Sequence, residues 1–195
     1  MGPMDPVRLD DPAALDRVTA ALLAGRAVVV PTDTVYGLAA LPAHQDELRR
    51  LKGRPDSVPI AVLVADVGQA ELAAGTPLPA LAVRLAAAFW PGPLTLVVPT
   101  AAGPTLGIRC PDHAFIRALA AAVGPLATTS ANRHGEPTPA EAAEAADSLV
   151  AAVPVVVDGG TLAGTASTVV DATGTEPVIL REGEISSGAV ETAVR

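Results

Sequence analysis

Apolar residues are distributed along the chain in two ways, and the alternation between them predicts helices interleaved with strands. Asp11-Pro12 is a start signal for a helix over 11–24, which Gly25 ends. Residues 27–30 are too few and too uniformly apolar for an amphipathic helix and read as a buried strand. A polar loop follows, then a short helix over 44–51 that turns Asp46, Glu47, Arg49 and Arg50 outward. Residues 60–64 read as a second strand, 66–74 and 79–89 as helices, and Pro91-Gly92-Pro93 breaks the chain before a strand at 94–98. The second half continues with strands at 106–109, 126–129 and 153–157 and helices at 112–123 and 139–146. Gly159-Gly160 turns the chain ahead of strands at 167–171 and 178–181 and a C-terminal helix from 187. Helices separate some strands and tight turns separate others, so the expected fold is α/β with a mixed sheet rather than a purely parallel one.

Composition narrows this picture. The 195 residues are 50% apolar, yet they include one Trp, one Tyr and two Phe, so the core is built from aliphatic side chains, which favours helices packed on a sheet. The chain length suits a single domain over 1–195. A net charge of −8 argues against a surface devoted to nucleic acid, although a local basic groove is compatible with it. Cys110 is the single cysteine, and His44, His113 and His134 have no metal-ligand spacing with it, so no protein metal site is expected and a reducing, cytoplasmic setting fits best. No apolar run approaches the roughly 20 residues of a membrane span, so no membrane association is expected.

The candidate chemistry lies where apolar strands stop. Lys52 is the single lysine among 13 basic residues and stands in Lys52-Gly53-Arg54-Pro55. An ammonium on a flexible stem beside the planar fork of Arg54 suits a phosphate clamp; the same four residues also suit a solvated helix end. Polar groups follow three strands: Thr32, Asp33, Thr34 and Tyr36 after the first, Arg109 after 106–108, and Thr128 to Asn132 after 126–127. Ligands of open α/β sheets bind at strand ends, so these clusters can converge on one crevice. Thr32 and Thr34 also fit a side-chain turn after Pro31, Ser130 and Asn132 an Asx-type turn, and Tyr36 a half-buried packing role. Thr138-Pro139 with Glu141 reads as a helix N-cap and first turn. A phosphate loop of the G-x-x-x-x-G-K-[ST] type, a G-x-S-x-G elbow and a zinc-spaced histidine pair are all missing, and Cys110 has no legible base.

Taken in order, PTDTVYGL, KGRP, GIRCPDH, TTSAN, STVVD and ILREG resemble the YrdC-like threonylcarbamoyl-adenylate synthase family over about 27–183. The resemblance implies a twisted mixed sheet with flanking helices and a deep concave active-site groove. It implies synthesis of threonylcarbamoyl-AMP and pyrophosphate from L-threonine, bicarbonate and ATP with Mg²⁺, the product passing to a transferase that modifies adenosine 37 of tRNA. By the same resemblance Lys52 and Arg54 hold the ATP phosphates as the catalytic groups, and Ser130, Asn132, Thr138 and Arg181 line the nucleotide site. Thr32, Tyr36, Arg109, Thr128 and Ser167 surround the threonine. Two positions depart from the pattern: His134 stands where a second serine is usual, and Val62-Leu63 stand where some members carry a histidine. Two rivals are a non-catalytic RNA-binding member with weak tRNA or RNA contact, and a carbamoyl-adenylating relative with another acceptor.

Overall fold

The structure is a computed structural model that describes residues 6–53, 55, 58–162 and 164–195. In chain order its elements are β1 (Val7–Arg8), α1 (Ala14–Leu23), β2 (Val28–Val30), β3 (Gly37–Ala40), α2 (Gln45–Lys52), β4 (Ala61–Leu63), α3 (Val67–Ala74), α4 (Ala80–Phe89) and β5 (Leu94–Pro99). They continue with β6 (Thr105–Arg109), α5 (Ala114–Val123), β7 (Leu126–Ser130), α6 (Ala142–Asp147), β8 (Val157–Asp158), β9 (Thr168–Asp171), β10 (Val178–Arg181) and α7 (Ser187–Ala193). One sheet runs β10-β9-β5-β6-β4-β7-β3-β2, and β1 pairs with β8 beside it. The β5–β9 and β4–β6 pairs are parallel and the others in the large sheet antiparallel, which is the expected mixed α/β sheet.

Side-chain periodicity sorts the helices onto the sheet. Ala14, Val18 and Leu22 repeat every fourth residue of α1 and pack with Ile116, Leu119 and Ala120 of α5 against Val28, Val30, Ala39, Leu63 and Leu126. Leu48 and Leu51 of α2 join Ala142 and Ala145 of α6 over Val29, Leu38, Ala40 and Ala127. Ala70 and Ala74 of α3, Leu81 and Leu85 of α4 and Val190 of α7 cover Val62, Leu96, Ile108 and Val170. Gly53 ends α2 with φ 64°, a left-handed conformation that glycine adopts without a Cβ clash, and its N–H closes the helix on Arg49 and Arg50 carbonyls.

Four expectations require correction. Residues 37–40 are a strand, not part of a loop, because Gly37–Ala40 pairs on both sides, with β2 and with β7. The strand expected over 153–157 shrinks to Val157–Asp158 plus a bridge at Val156. Val7–Arg8, assigned no element from sequence, is a strand on β8. Helix α6 starts at Ala142 rather than at 139, since Ala140 O accepts from Leu162 N (2.8 Å) and Glu141 is extended at the N-cap position (φ −104°, ψ 143°).

Candidate active-site cleft

The same strands that bury one face leave the other partly open. Val62, Leu96, Ile108 and Val170 enter the core, whereas their sequence neighbours Ala61, Thr95, Val97, Gly107 and Val169 line a cleft of about 470 Å³. Small residues make its floor. Thr32, Thr34, Arg109, Thr128, Ser130, Thr138, Ser167 and Arg181 also line it, so the polar strand ends do converge. They form two groups, however. β4 is parallel to β6 and antiparallel to β7, so Arg109 and Ser130, each closing its strand, lie toward opposite ends of the cleft.

At the β7 end, Lys52 closes α2 and is only 3% exposed. Its Nζ donates to Ser130 O (2.6 Å), Ser130 Oγ (3.0 Å) and Asn132 Oδ1 (2.7 Å). Ser130 Oγ donates to the same Asn132 Oδ1 (2.5 Å), and Thr138 Oγ1 does so at 3.3 Å. Asn132 Nδ2 in turn donates to Arg133 O (2.8 Å) and Glu136 O (2.5 Å), which holds the amide in place. Lys52 is therefore a buried hub of this network rather than a solvated turn residue, and Thr138 serves the network instead of capping α6. Arg54, the expected partner of Lys52, lies outside the described residues.

At the β6 end, Arg109 is 6% exposed and its fork is held on three sides. Nε donates to Gly92 O (3.0 Å), Nη1 to Thr34 Oγ1 (2.9 Å) and Nη2 to Asp33 Oδ1 (2.5 Å). The other oxygen of Asp33 accepts from Asp112 N (2.9 Å) just ahead of α5. Burial pushes the Arg109 guanidinium below its ordinary pKa, and Asp33 opposes that shift. Beside it, Arg181 donates from Nε (3.2 Å) and Nη2 (2.8 Å) to Ser167 O and from Nη2 to Ser167 Oγ (3.2 Å), while Ser167 Oγ and Thr95 Oγ1 share a hydrogen bond of 2.9 Å. Burial, and then the proximity of Arg109, lower the Arg181 pKa. Gly183 lets this turn close: a Cβ there would stand 2.0 Å from Ala166 O and 2.6 Å from the Ser167 carbonyl carbon.

Several expected roles change in this geometry, and Arg181, expected with Ser130, Asn132 and Thr138 around the nucleotide, stands apart from them with Ser167 beside Arg109. Tyr36 is fully buried, outside the cleft lining, and its hydroxyl donates to Gly160 O (2.6 Å) and accepts from Gly159 N (3.1 Å). Burial raises its pKa. The Thr32 hydroxyl serves the PTDT turn, donating to Val35 O (2.7 Å) and accepting from Thr34 N (3.1 Å) and Val35 N (3.2 Å). Thr128 Oγ1 donates to Leu126 O (3.0 Å), which leaves its acceptor side for the cleft. Sequence reasoning placed Asp33 and Thr34 in the polar cluster after the first strand without naming either as a site residue, and assigned no role to Thr95. A buried arginine after a strand demands a carboxylate, and a lone Thr in the apolar run 94–98 is the signal for a polar floor position.

Residues 20–183 match the model of the family of Sua5, YciO and YrdC proteins, described as telomere recombination. The threonylcarbamoyl-AMP synthase of Bacillus subtilis is 37% identical over 205 residues, covering 97% of this chain and 59% of that protein. A putative threonylcarbamoyl-AMP synthase of Mycobacterium tuberculosis is 39% identical over 180 residues, covering 86% of this chain and 82% of the relative. Among solved structures, Pyrococcus abyssi Sua5 complexed with L-threonine is similar with a TM-score of 0.87 and 32% identity, covering 96% of this chain and 59% of that one. The chain thus spans less than two thirds of the Bacillus and Pyrococcus proteins.

Proposed function

The chain belongs to the Sua5, YciO and YrdC family, and from that premise we propose that it is an L-threonylcarbamoyladenylate synthase. As a nucleotidyltransferase it joins L-threonine, bicarbonate and ATP into threonylcarbamoyl-AMP and releases pyrophosphate. The observation that carries this reading is one cleft with two different polar ends: Ser130 and Thr138 line one, with the buried Lys52 ammonium bonded to Ser130, and Arg109, Arg181 and Ser167 line the other. The Lys52 end suits the ATP phosphates and, with Arg54, would stabilise charge building on them; the Arg109 end suits the amino acid. Between them the threonine amine captures CO₂ or bicarbonate, and a carbamate oxygen attacks the α-phosphorus as the bond to pyrophosphate breaks.

No enzyme nucleophile is required, so catalysis is positioning plus charge stabilisation. Mg²⁺ would be held by the phosphates, because among the described residues no group of three or more His, Cys, Asp or Glu is arranged to hold a metal ion. The product would pass to a tRNA threonylcarbamoyl transferase. Among the described residues no helix is long and apolar enough to cross a membrane. The test is incubation with ATP, Mg²⁺, bicarbonate and threonine followed by mass spectrometry for threonylcarbamoyl-AMP. Pyrophosphate release without threonine would instead point to another acceptor, and no ATP-dependent product at all would defeat the reading.

A further inference from the structure

Arg181 reaches the cleft against the plain alternation of its strand. On β10, Val178 pairs with Asp171 and Ile179 with Val170, but the next pair joins Arg181 to Val169, so Leu180 is an extra residue on this strand. Ile179 packs on the core. Alternation alone would send Leu180 to the cleft and Arg181 to the side of Ile179. With the extra residue, Leu180 and Arg181 both line the cleft. A bulge turns a side chain over but does not fix the chain that follows it. Here one buried hydroxyl does: Thr168 Oγ1 accepts from Gly183 N (2.9 Å) and Ile185 N (3.0 Å) and donates to Ile185 O (2.6 Å), which uses its single proton and both lone pairs. Glu184 N, between them, donates to Ala166 O (3.2 Å).

The chain leaving Arg181 is thereby folded back over 166–168, and Ser167, the middle residue, takes the Arg181 guanidinium on its carbonyl and hydroxyl. Thr168 itself is fully buried and absent from the cleft lining, so no ligand touches it. We propose that Thr168 is a positioning residue for the reaction: its hydroxyl holds the 183–185 turn, and that turn together with the bulge at Leu180 aims Arg181 into the cleft. That ATP is the ligand Arg181 meets rests on the family resemblance and on the function proposed above; the aiming of the side chain does not.

The test uses Thr168→Val, which matches threonine in shape and lacks the hydroxyl, Thr168→Ser, which keeps it, Arg181→Ala and the Thr168→Val/Arg181→Ala double variant, each checked for a cooperative melt. Two quantities are read: ATP affinity by calorimetric titration, and exchange of the Arg181 Nε–H with solvent by NMR, its signal assigned by its loss in Arg181→Ala. Thr168→Val is expected to bind ATP roughly tenfold more weakly and to exchange the Nε–H roughly tenfold faster. Thr168→Ser should stay near the wild type in both. The double variant should bind ATP no more weakly than Arg181→Ala; additive losses overturn the proposal, because Thr168 then acts apart from Arg181. A folded Thr168→Val with a lowered Tm but wild-type Nε–H exchange also overturns it, since the hydroxyl then serves stability alone. Should Thr168→Val not fold, Thr168→Ala, whose smaller side chain leaves room for a water at the freed amides, decides by the same two readouts. Faster Nε–H exchange with wild-type ATP affinity, or a wild type that binds no ATP, defeats the nucleotide role of Arg181 while the exchange comparison still decides for or against Thr168.

Discussion

Lys52 and Arg109 are the two buried cations among the described residues, and they are held in opposite ways. Lys52 reaches from the end of a helix into neutral oxygens of Ser130 and Asn132, which a flexible stem meets without a preset angle. Arg109 sits on a central strand, and carbonyl, hydroxyl and carboxylate partners fix the orientation of its planar fork. The difference teaches that one end of the cleft is organised around a buried point charge and the other around a planar donor set. The PTDT turn joins the two, since Gly37 pairs with Ser130 while Thr34 accepts from Arg109.

The most severe way to break this contrast is Arg109→Ala, which leaves Asp33 buried without its partner. It should cost about 3–5 kcal/mol of stability. Denaturant unfolding checks this, and a loss under 1 kcal/mol would mean that the pair is solvated in solution. Arg109→Lys should fold better yet raise KM for threonine more than KM for ATP, because an ammonium cannot serve Gly92, Thr34 and Asp33 together. Equal losses for both substrates would place Arg109 in the scaffold only.

Lys52→Ala comes next. Turnover should fall by about 10²-fold or more if the ammonium stabilises the reacting phosphates. A solvated helix end, the alternative reading of residues 52–55, implies that Lys52 can be removed without harm to the fold. Its burial now adds a second effect, a stability loss of roughly 1–3 kcal/mol from the acceptors left behind on Ser130 and Asn132. Near-wild-type pyrophosphate release from a folded variant would remove Lys52 from the chemistry.

Thr128→Val sharpens the comparison on a smaller scale. Of the four hydroxyls expected around threonine, Tyr36 is engaged with residues 159 and 160, Thr32 is used within its own turn and Ser167 is engaged with Thr95 and Arg181, so Thr128 offers the most available acceptor. The variant should lose roughly tenfold in kcat/KM for threonine and serine, and little for valine, which has no hydroxyl to donate. A parallel loss with valine would mean that Thr128 acts through packing.

The smallest effect concerns His113, whose buried Nδ1 has no hydrogen-bond partner among the described residues and whose pKa is lowered by burial, against attraction from Asp33. Its neutral form is the one the fold prefers. The unfolded chain therefore binds the proton more readily, and stability present above the ordinary histidine pKa of about 6.5 is lost as pH falls toward the lower folded value. The Tm of His113→Asn should depend less on pH between about 7 and 5 than the wild-type Tm. Parallel Tm profiles would exclude His113 as the source.

Local pattern was sufficient wherever a residue's role depends on its neighbours in sequence. The strand 178–181 and the helices near 67–74 and 80–89 are legible because apolar runs between breakers have few other solutions. The motifs around Arg109 and Ser130 likewise marked the cleft, since polar groups at the ends of apolar strands need polar partners. Other assignments needed partners distant in sequence. Gly37–Ala40 becomes a strand because β2 and β7 flank it, and Tyr36 leaves the site because residues 158–160 return to take its hydroxyl. Most of all, the two halves of the pair that defines one end of the cleft, Asp33 and Arg109, stand 76 positions apart in sequence. Hydrogen bonds and charge compensation act over a few ångströms in space, so only the tertiary structure decides which carboxylate reaches that guanidinium and which hydroxyls remain for a ligand.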